Sequence, residues 1–160
     1  MQYRTFDSPI GGLLIAGDGD GLRFLLFSRG RDQAKPHPDW EPDRGVMREP
    51  IRQLSAYFAG KLREFDLPVV PDGTSFQRSV WKQLQKIPYG ETISYAELAR
   101  RIGNPKAVRA VGLANGSNPI SIVIPCHRVI GSNGSLVGYG GGLPIKQALL
   151  SLERGQRRLL

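Results

Sequence analysis

The side chains best suited to chemistry in this sequence are Cys126 and His127, which are adjacent between Pro125 and Arg128. Cys126 is the only cysteine in the chain, so it cannot form an internal disulfide. A thiolate is a strong nucleophile, cationic or hydrogen-bonding neighbours lower the pKa of a thiol, and a histidine can accept its proton directly or through water. The pair therefore predicts a nucleophilic cysteine, whereas a lone cysteine without such context is usually a small buried apolar residue.

Glu153 is a carboxylate in an unexpected place, because it shares the apolar stripe of the predicted last helix with Leu149, four residues earlier. A carboxylate on a buried face needs a partner. Two interpretations stay open. Glu153 orients His127 in the tautomer that accepts a proton from the thiol, or it forms a salt bridge with Arg154 or Arg157.

The candidate ligand-binding elements do not indicate a cofactor. The run Gly138–Gly142 contains Tyr139 and is either a flexible loop or a loop whose backbone N–H groups a ligand can approach closely. It lacks the lysine and the strand–loop–helix setting of a phosphate-binding loop. Cys126, His37 and His127 are the only soft metal ligands in the sequence, which excludes a cysteine-rich zinc site. We predict neither a metal nor a cofactor.

Charge is distributed unevenly along the 160 residues, which carry a formal net charge of +8. Residues 1–73 hold 10 Lys and Arg against 11 Asp and Glu, a net charge of −1, whereas residues 74–160 hold 12 against 3, a net charge of +9. A basic half attracts polyanions, although a basic surface also serves solubility. No run of residues is long and apolar enough to cross a bilayer, and we expect a cytoplasmic protein.

The first half, residues 1–73, predicts a small α/β domain. Its alternating apolar segments predict three strands, at Tyr3–Phe6, Leu13–Ala16 and Leu22–Ser28. A polar, proline-interrupted loop follows over 29–46, and then a helix that presents Ile51, Leu54 and Phe58 and stops at Gly60. Residues 66–73 contain two prolines and form the candidate interdomain linker.

The second half, residues 74–160, predicts a mostly helical domain. One helix is capped by Ser75, and a second begins at the capping box of Ser94 and Glu97. After Gly103, Asn104 caps a third helix with Pro105 in its first turn, which carries Lys106 and Arg109 on one side. Two short helices joined by a glycine-containing turn are typical of a DNA-binding helix-turn-helix, and also of helix pairs that only pack.

The segment around Cys126 is predicted to be strand-rich. Ile120–Ile124 is an apolar, β-branched run that predicts a buried strand leading into the cysteine. Asn133 and Gly134 predict a hairpin turn between Val129–Gly131 and Leu136–Val137.

These motifs together resemble one known family. The run Pro125-Cys126-His127-Arg128-Val129-Ile130 stands with Asn104-Pro105-Lys106, Asn118-Pro119, Tyr139 and Glu153 in the order found in the O6-alkylguanine-DNA alkyltransferases, also called methylated-DNA–protein-cysteine methyltransferases. The resemblance covers nearly all of the second half, and the first half is similar to the more variable N-terminal domain of that family. It implies an α/β (α+β) protein whose N-terminal domain has an antiparallel sheet and whose C-terminal domain carries a winged-helix-like helix-turn-helix.

The resemblance also implies a reaction. Cys126 would accept an alkyl group irreversibly from O6-alkylguanine in duplex DNA, in a single turnover, with O4-alkylthymine as a further candidate substrate. His127 would act as base through a water, and Glu153 would orient it. Asn118 would fix the turn between the recognition helix and the active-site segment, and Tyr95 would rotate the 3′ phosphate and hydrogen-bond the extruded base.

Further residues are implied in DNA contact and in the pocket. Arg109 would enter the base stack and fill the space left by the flipped base. The expected DNA-binding set is Tyr95, Lys106, Arg109, Ala110 and Arg128. The carbonyls of Cys126 and Val129 would recognise the guanine amino group. The expected pocket residues are Ser121, Val129, Tyr139 and Gly140, of which Ser121 is small enough to suggest tolerance of bulkier alkyl groups.

Two other functional classes fit parts of the sequence. A non-enzymatic DNA-binding regulator would use Cys126 as a structural or redox-sensing thiol, and a cysteine hydrolase would use Cys126 and His127 as a dyad. The hydrolase gives no role to the helix-turn-helix or to the basic half. We expect a monomer that clusters on double-stranded DNA and has no membrane partner.

Overall fold

A computed structural model describes residues 1–28 and 34–155, and its first half is built on a sheet. The strands β1 (Gln2–Ser8), β2 (Gly11–Asp18) and β3 (Gly21–Phe27) form an antiparallel meander, as predicted. The two-residue strand β4 (Glu41–Pro42), within the predicted loop, pairs in parallel with β1 and gives the order β3-β2-β1-β4. Residues 29–33 of that loop lie outside the described residues.

The helix α1 (Arg48–Phe58) follows the sheet and reaches toward the second half of the chain. It buries Leu54, Tyr57 and Phe58, and Gly60 ends it with a φ of 75°. The predicted linker, 66–73, is not a free connection. Leu22 of β3 makes two backbone hydrogen bonds to this segment: its N–H donates to the Pro68 carbonyl, and its carbonyl accepts from the Val70 N–H. The segment is therefore docked along β3.

The helices α2 (Ser75–Leu84) and α3 (Tyr95–Arg101) begin at well-formed caps. The cap of α2 is Thr74 rather than Ser75, because the Thr74 hydroxyl and the Gln77 side chain complete a capping box. Ser94 caps α3 as predicted by accepting from the Glu97 N–H, but the predicted box is only half formed. The Glu97 carboxylate binds two arginines on its own helix, Arg100 and Arg101.

The helix α4 (Val108–Gly116) starts three residues later than Pro105. Gly103 has a φ of 81°, and the Ala107 N–H bonds to the Asn104 carbonyl, so residues 102–107 form the turn between α3 and α4. Lys106 therefore lies in the turn and not on the helix. The two helices pack on each other, and the Trp81 indole of α2 donates to the Ala114 carbonyl of α4 at 2.8 Å.

The predicted strand Ile120–Ile124 is wrong. Only Ile120 makes a bridge, to Leu25, and the following residues form consecutive turns in which Ile122 has a φ of 71°. The Asn118 side chain closes this segment into a loop by accepting from the Ile120 N–H at 3.0 Å and donating to the Ile124 carbonyl at 2.8 Å. The run is apolar because the loop is buried, not because it is extended.

A short strand pair follows the cysteine and precedes the last helix. β5 (Ile93–Ser94) pairs in parallel with β6 (Val129–Ile130). Asn133 and Gly134 form a turn closed by the Gly131 N–H and the Ser135 carbonyl, but Leu136–Val137 is not a strand, so the predicted hairpin is not a strand pair. The predicted last helix is α5 (Leu143–Glu153), and it begins with Pro144 in its first turn.

A single apolar core connects the two halves of the chain. It joins Leu25 and Phe58 of the first half to Trp81, Val111 and Leu149 of the second. Among the described residues, no helix is long and apolar enough to cross a membrane. The architecture is α+β, with an antiparallel-rich sheet first and a helical region second.

Candidate active site

Cys126 lies at the start of a one-turn 3₁₀ helix, Cys126–Arg128, that directly follows the buried loop. Its N–H bonds to the Ile124 carbonyl at 2.8 Å, which fixes the turn that presents the thiol. The side chain is 6% exposed and lines a cavity of about 600 Å³. A buried nucleophile that still reaches a cavity of this size is accessible to a small ligand and sheltered from bulk water.

His127, the residue after Cys126, forms a buried pair with Glu153. The His127 Nε2 atom lies 2.8 Å from the Glu153 Oε2 atom, and both side chains are essentially inaccessible. Because a carboxylate oxygen accepts, Nε2 carries the hydrogen and Nδ1 is left with the basic lone pair. Within the described part of the chain, no protein group bonds to Nδ1. The pair thus has the tautomer needed for a base.

Glu153 has more partners than the sequence indicated. Arg128 donates from Nε to Oε1 at 2.8 Å and from its second terminal nitrogen to Oε2 at 2.9 Å. The Tyr57 hydroxyl donates to Oε2 at 2.6 Å. The salt-bridge partner is therefore Arg128 and not Arg154, and Arg157 lies outside the described residues. Glu153 therefore binds the histidine, as the first interpretation requires, and also forms a salt bridge, but with an arginine that the second interpretation did not name.

The placement of Arg128 corrects its assignment to DNA contact. Its side chain is 8% exposed, and its third hydrogen-bond partner is the Ile87 carbonyl, at 2.7 Å from the other terminal nitrogen. A buried guanidinium whose three nitrogens each donate a hydrogen bond inside the protein is not free to bind a phosphate. We assign Arg128 to the support of Glu153.

Burial governs the protonation of the thiol and of the histidine. Burial raises the pKa of Cys126 above its usual range, although hydrogen bonds from Asn118 and Ser121 and the charge of Lys146 oppose it. The thiol is therefore protonated in the free protein, contrary to the lowered pKa expected from its neighbours. Burial likewise lowers the pKa of His127, against the pull of Glu153. A neutral histidine beside a protonated thiol is an acid–base pair before proton transfer.

The pKa of Glu153 is lowered against the effect of burial. Burial raises it, but the hydrogen bonds and charges of His127 and Arg128 outweigh burial and hold the pKa of this carboxyl well below its ordinary value. Glu153 is thus ionised at neutral pH, and it supplies a fixed negative charge behind His127.

Two asparagines hold the backbone around the cysteine. Asn118, which the sequence predicted for this place, closes the buried loop through Ile120 and Ile124. Asn115 of α4 was not predicted, and its side-chain nitrogen donates to the Cys126 carbonyl at 3.4 Å. The α4 helix is thereby tied directly to the nucleophile.

Lys146 of α5 is a buried charge that the sequence analysis missed. Its Nζ atom donates to the carbonyls of Val129 at 2.7 Å and Val137 at 3.2 Å, and its side chain is inaccessible. Burial lowers the pKa of Lys146. Its position seven residues before Glu153 places both on one face of a helix, which is the sequence signal that could have found it.

The cavity wall combines both halves of the chain. The predicted residues Ser121, Tyr95, Tyr139 and Gly140 line it. The predicted pocket residue Val129 does not; it is buried, and its carbonyl accepts from Lys146. The first half contributes residues that were not predicted, namely Phe24, Leu26, Phe27 and Ala34. The Phe27 ring meets the Tyr139 ring edge-on, with centroids 5.6 Å apart. The glycine-rich segment is therefore packed against β3.

The remaining predicted residues form a surface beside the cavity. Arg109 and Ala110 are exposed on α4, and Lys106 is exposed in the turn before it. Tyr95 begins α3, its hydroxyl donates to the Val137 carbonyl at 3.2 Å, and Gly112 of α4 lies against its ring. The helix pair thus presents basic side chains next to the opening that leads to the thiol.

Comparison with known proteins gives the same assignment over both halves. Residues 75–155 match the model of the 6-O-methylguanine DNA methyltransferase DNA-binding domain, and residues 1–71 match the ribonuclease-like domain of the same family. A methylated-DNA–protein-cysteine methyltransferase of Methanosarcina acetivorans is 55% identical over 96% of this chain and 98% of its own length. The corresponding protein of Mycobacterium tuberculosis is 54% identical over 98% and 94%.

Solved structures agree with these matches. The crystal structure of a Mycobacterium tuberculosis OGT in complex with DNA is 53% identical, with a TM-score of 0.91 over 98% of this chain and 94% of that one. An O6-methylguanine methyltransferase structure from the same organism has a TM-score of 0.89 at 54% identity. The chain belongs to the 6-O-methylguanine DNA methyltransferase family and is a DNA-repair enzyme that transfers an alkyl group to a cysteine.

Proposed function

We propose that Cys126 is the alkyl acceptor and that O6-alkylguanine in duplex DNA is the donor. The observation that carries this proposal is the only cysteine of the chain, facing a cavity while His127 stands beside it, held by Glu153. A cysteine that ends as a thioether does not regenerate under mild conditions, so each molecule reacts once.

The chemical step follows from the protonation states. His127 takes the thiol proton through a water, and the Cys126 sulfur attacks the alkyl carbon in line with the bond to guanine O6. The carbon–oxygen bond breaks, its electrons stay on guanine, and the proton held by His127 returns to guanine through the same route. A thioether and an unmodified guanine result. Glu153 stabilises the imidazolium that forms in between.

The lesion must leave the base stack to reach the thiol. An alkyl group on a stacked base is inaccessible, and extrusion costs a few kcal/mol. Arg109 inserts between the base steps and offsets part of that cost, while Tyr95 contacts the backbone and the extruded base. Lys106 and the exposed surface of α4 near Ala110 bind the phosphates without reading sequence, as a repair enzyme for lesions in any context requires.

The cavity sets which lesions react. The carbonyls of Cys126 and Val129 accept from the guanine amino group, and Tyr139, Gly140 and Ser121 bound the alkyl group. Since the cavity is about 600 Å³, it admits groups larger than methyl. O4-alkylthymine presents the same alkoxy carbon and is a second substrate. The protein acts as a monomer and clusters along the duplex.

The decisive experiment is intact-protein mass spectrometry after incubation with a duplex that carries one O6-methylguanine. The wild-type protein should gain one methylene unit, stoichiometric with the lesion, and Cys126→Ser should gain none while still binding the duplex. An unchanged mass with a free thiol would reject the proposal and favour a DNA-binding regulator.

The extrusion step has its own test. Arg109→Ala should react more slowly than wild type with O6-benzylguanine inside a duplex, and at an unchanged rate with the free base. Equal slowing on both substrates would show that Arg109 does not act through extrusion.

A further inference from the structure

We propose that Tyr57, a residue of the first half of the chain, is a positioning residue for the His127–Glu153 pair during alkyl transfer. This inference rests on the proposed function. Its basis is a buried hydrogen bond between residues 96 positions apart, from the Tyr57 hydroxyl to Glu153 Oε2 at 2.6 Å. The same carboxylate oxygen contacts His127 Nε2 at 2.8 Å. Tyr57 thus acts on the oxygen that the histidine uses.

The direction of this hydrogen bond is fixed by charge. Burial, together with the neighbouring carboxylate of Glu153, raises the pKa of Tyr57 well above its usual range, so the hydroxyl keeps its proton and donates. The ring has no freedom to turn away, because it is fully buried and packs against Phe58, Phe65 and Tyr89 with centroids 5.2 to 6.2 Å apart. The donor is therefore preorganised.

The hydroxyl has an effect that packing alone would not require. Arg128 already supplies two charged hydrogen bonds to Glu153, one to each oxygen. A phenylalanine would fill the same space and still pack on the aromatic neighbours. The hydroxyl adds a neutral donor to Oε2, which spreads the negative charge that faces His127. With less charge on Oε2, His127 stays neutral in the resting protein and able to accept a proton. The same hydroxyl holds Oε2 in the position from which it bonds the imidazolium once that forms.

The bond also gives the first half of the chain a place in the reaction. Tyr57 is on α1, whereas His127, Arg128 and Glu153 belong to the second half. The sheet-bearing half thereby supports the base as well as the cavity wall. Other titratable or charged groups interact with the pair, and any pH dependence includes them: Tyr89, Arg128, Tyr139 and Lys146. Arg63 lies over the Tyr89 ring and Cys126 interacts with Tyr139, so both act on the pair through these tyrosines.

The test compares Tyr57→Phe with Tyr89→Phe. Tyr89 belongs to the same aromatic cluster, but its hydroxyl makes only a long contact, 3.4 Å, to the Leu152 carbonyl. Single-turnover rates on an O6-methylguanine duplex are measured across pH, and duplex affinity is measured separately. In parallel, the imidazole of His127 is titrated by NMR in the free protein, where His37 is the only other histidine to assign.

Tyr57→Phe should slow alkyl transfer about tenfold at neutral pH, which corresponds to about 1.4 kcal/mol, the order of one hydrogen bond. The pKa of His127 should rise, both in the rate profile and in the NMR titration, while duplex affinity is unchanged. Tyr89→Phe should match wild type in all three. Partial misfolding of a variant would scale the rates at every pH equally, so it cannot produce the shifted profile.

Two outcomes overturn the inference. If Tyr57→Phe reacts within twofold of wild type and its His127 titration is unchanged, the hydroxyl only fills space, and the proposed function stands. If Tyr89→Phe shifts the titration as much as Tyr57→Phe, the effect belongs to the aromatic cluster and not to the hydrogen bond. A wild-type protein that gains no mass from the duplex defeats the proposed function itself, which separates the two failures.

Discussion

The two halves of the chain differ in charge and architecture, yet both build the same site. In its described residues, the first half is a four-stranded sheet with one helix, and its net charge is −1, whereas the second half is helical with a net charge of +9. Only the second half holds Cys126 and His127. The first half supplies Phe24 and Phe27 to the cavity wall and Tyr57 to the Glu153 carboxylate.

This difference shows how the work is divided. Attraction to a polyanion needs exposed charge, which suits the helical surface around Arg109 and Lys106. A protected nucleophile needs a second wall, and a sheet face with aromatic side chains provides one with little loss of side-chain entropy on folding. The two halves also meet in a buried polar cluster, called here the junction, in which Tyr57 of the first half and His127 and Arg128 of the second half all bond to Glu153.

Glu153→Gln should cause the largest loss of stability, because it removes the negative charge to which Tyr57, His127 and Arg128 all donate. Truncating one partner of a buried ion pair leaves the other charge uncompensated and costs about 3–5 kcal/mol. We expect the free energy of unfolding in urea to fall by about that amount. A matched control is Glu49→Gln on α1, whose exposed carboxylate bonds Arg52 and Gln53. Its loss should be far smaller, since water screens that pair. If both variants lost the same stability, the buried bonds of Glu153 would stabilise the protein no more than an exposed ion pair does.

The same variant predicts a pH dependence. The folded pKa of Glu153 lies below its ordinary value of 4.5, so its contribution to stability is complete above pH 4.5 and is lost as the pH falls through the folded pKa. Wild-type stability should therefore decline below about pH 4.5, and Glu153→Gln should flatten part of that decline. Urea titrations at several pH values measure it, and parallel curves for the two proteins would contradict the assignment.

Phe27→Leu should have a moderate effect on stability and on substrate preference, and it tests the part of the cavity wall that the first half provides. The Phe27 ring contacts Tyr139 and presses on the backbone at Gly141, where an added Cβ would lie 3.0 Å from the ring. A smaller side chain widens the cavity and should raise the rate with O6-benzylguanine relative to O6-methylguanine, at a stability cost of roughly 1–2 kcal/mol.

Phe58→Leu is the control for this prediction. Phe58 is also buried in the first half but does not line the cavity. It should cost stability without changing the ratio of the two rates. A changed ratio in both variants would mean that general loosening of the core controls access to the thiol.

The sequence predicts the elements well where one side-chain pattern decides them. The strands β1 to β3 follow their alternation, and α5 follows its apolar stripe. It fails at Ile120–Ile124, because an apolar run is equally compatible with a buried strand and a buried loop. The choice is made by Asn118, whose side chain closes the loop. The spacing of apolar residues within Ile120–Ile124 does not distinguish the two structures.

The site is predictable in its local motif and not in its remote partners. Cys126 and His127 were predicted because they are adjacent, and Glu153 because it is a carboxylate on the apolar face of a helix. The bonds of Tyr57 and Arg128 to Glu153 span 96 and 25 positions, so they depend on how distant segments of the chain pack together. The prediction of Arg128 in DNA contact was wrong for that reason. A basic residue beside the nucleophile resembles a phosphate ligand until its buried partner is known.

Lys106→Ala should have the smallest effect and should be confined to the second half. Lys106 is exposed in the turn between α3 and α4 and is absent from the core, so the free energy of unfolding should change by less than about 0.5 kcal/mol. If it contacts one phosphate, the slope of log affinity against log salt concentration should fall in magnitude by about 1 for every duplex sequence. Lys61→Ala, an exposed lysine of the first half, should leave the slope unchanged. An equal decrease of the slope in both variants would show that lysines of both halves contact DNA, and DNA binding would then not be confined to the second half.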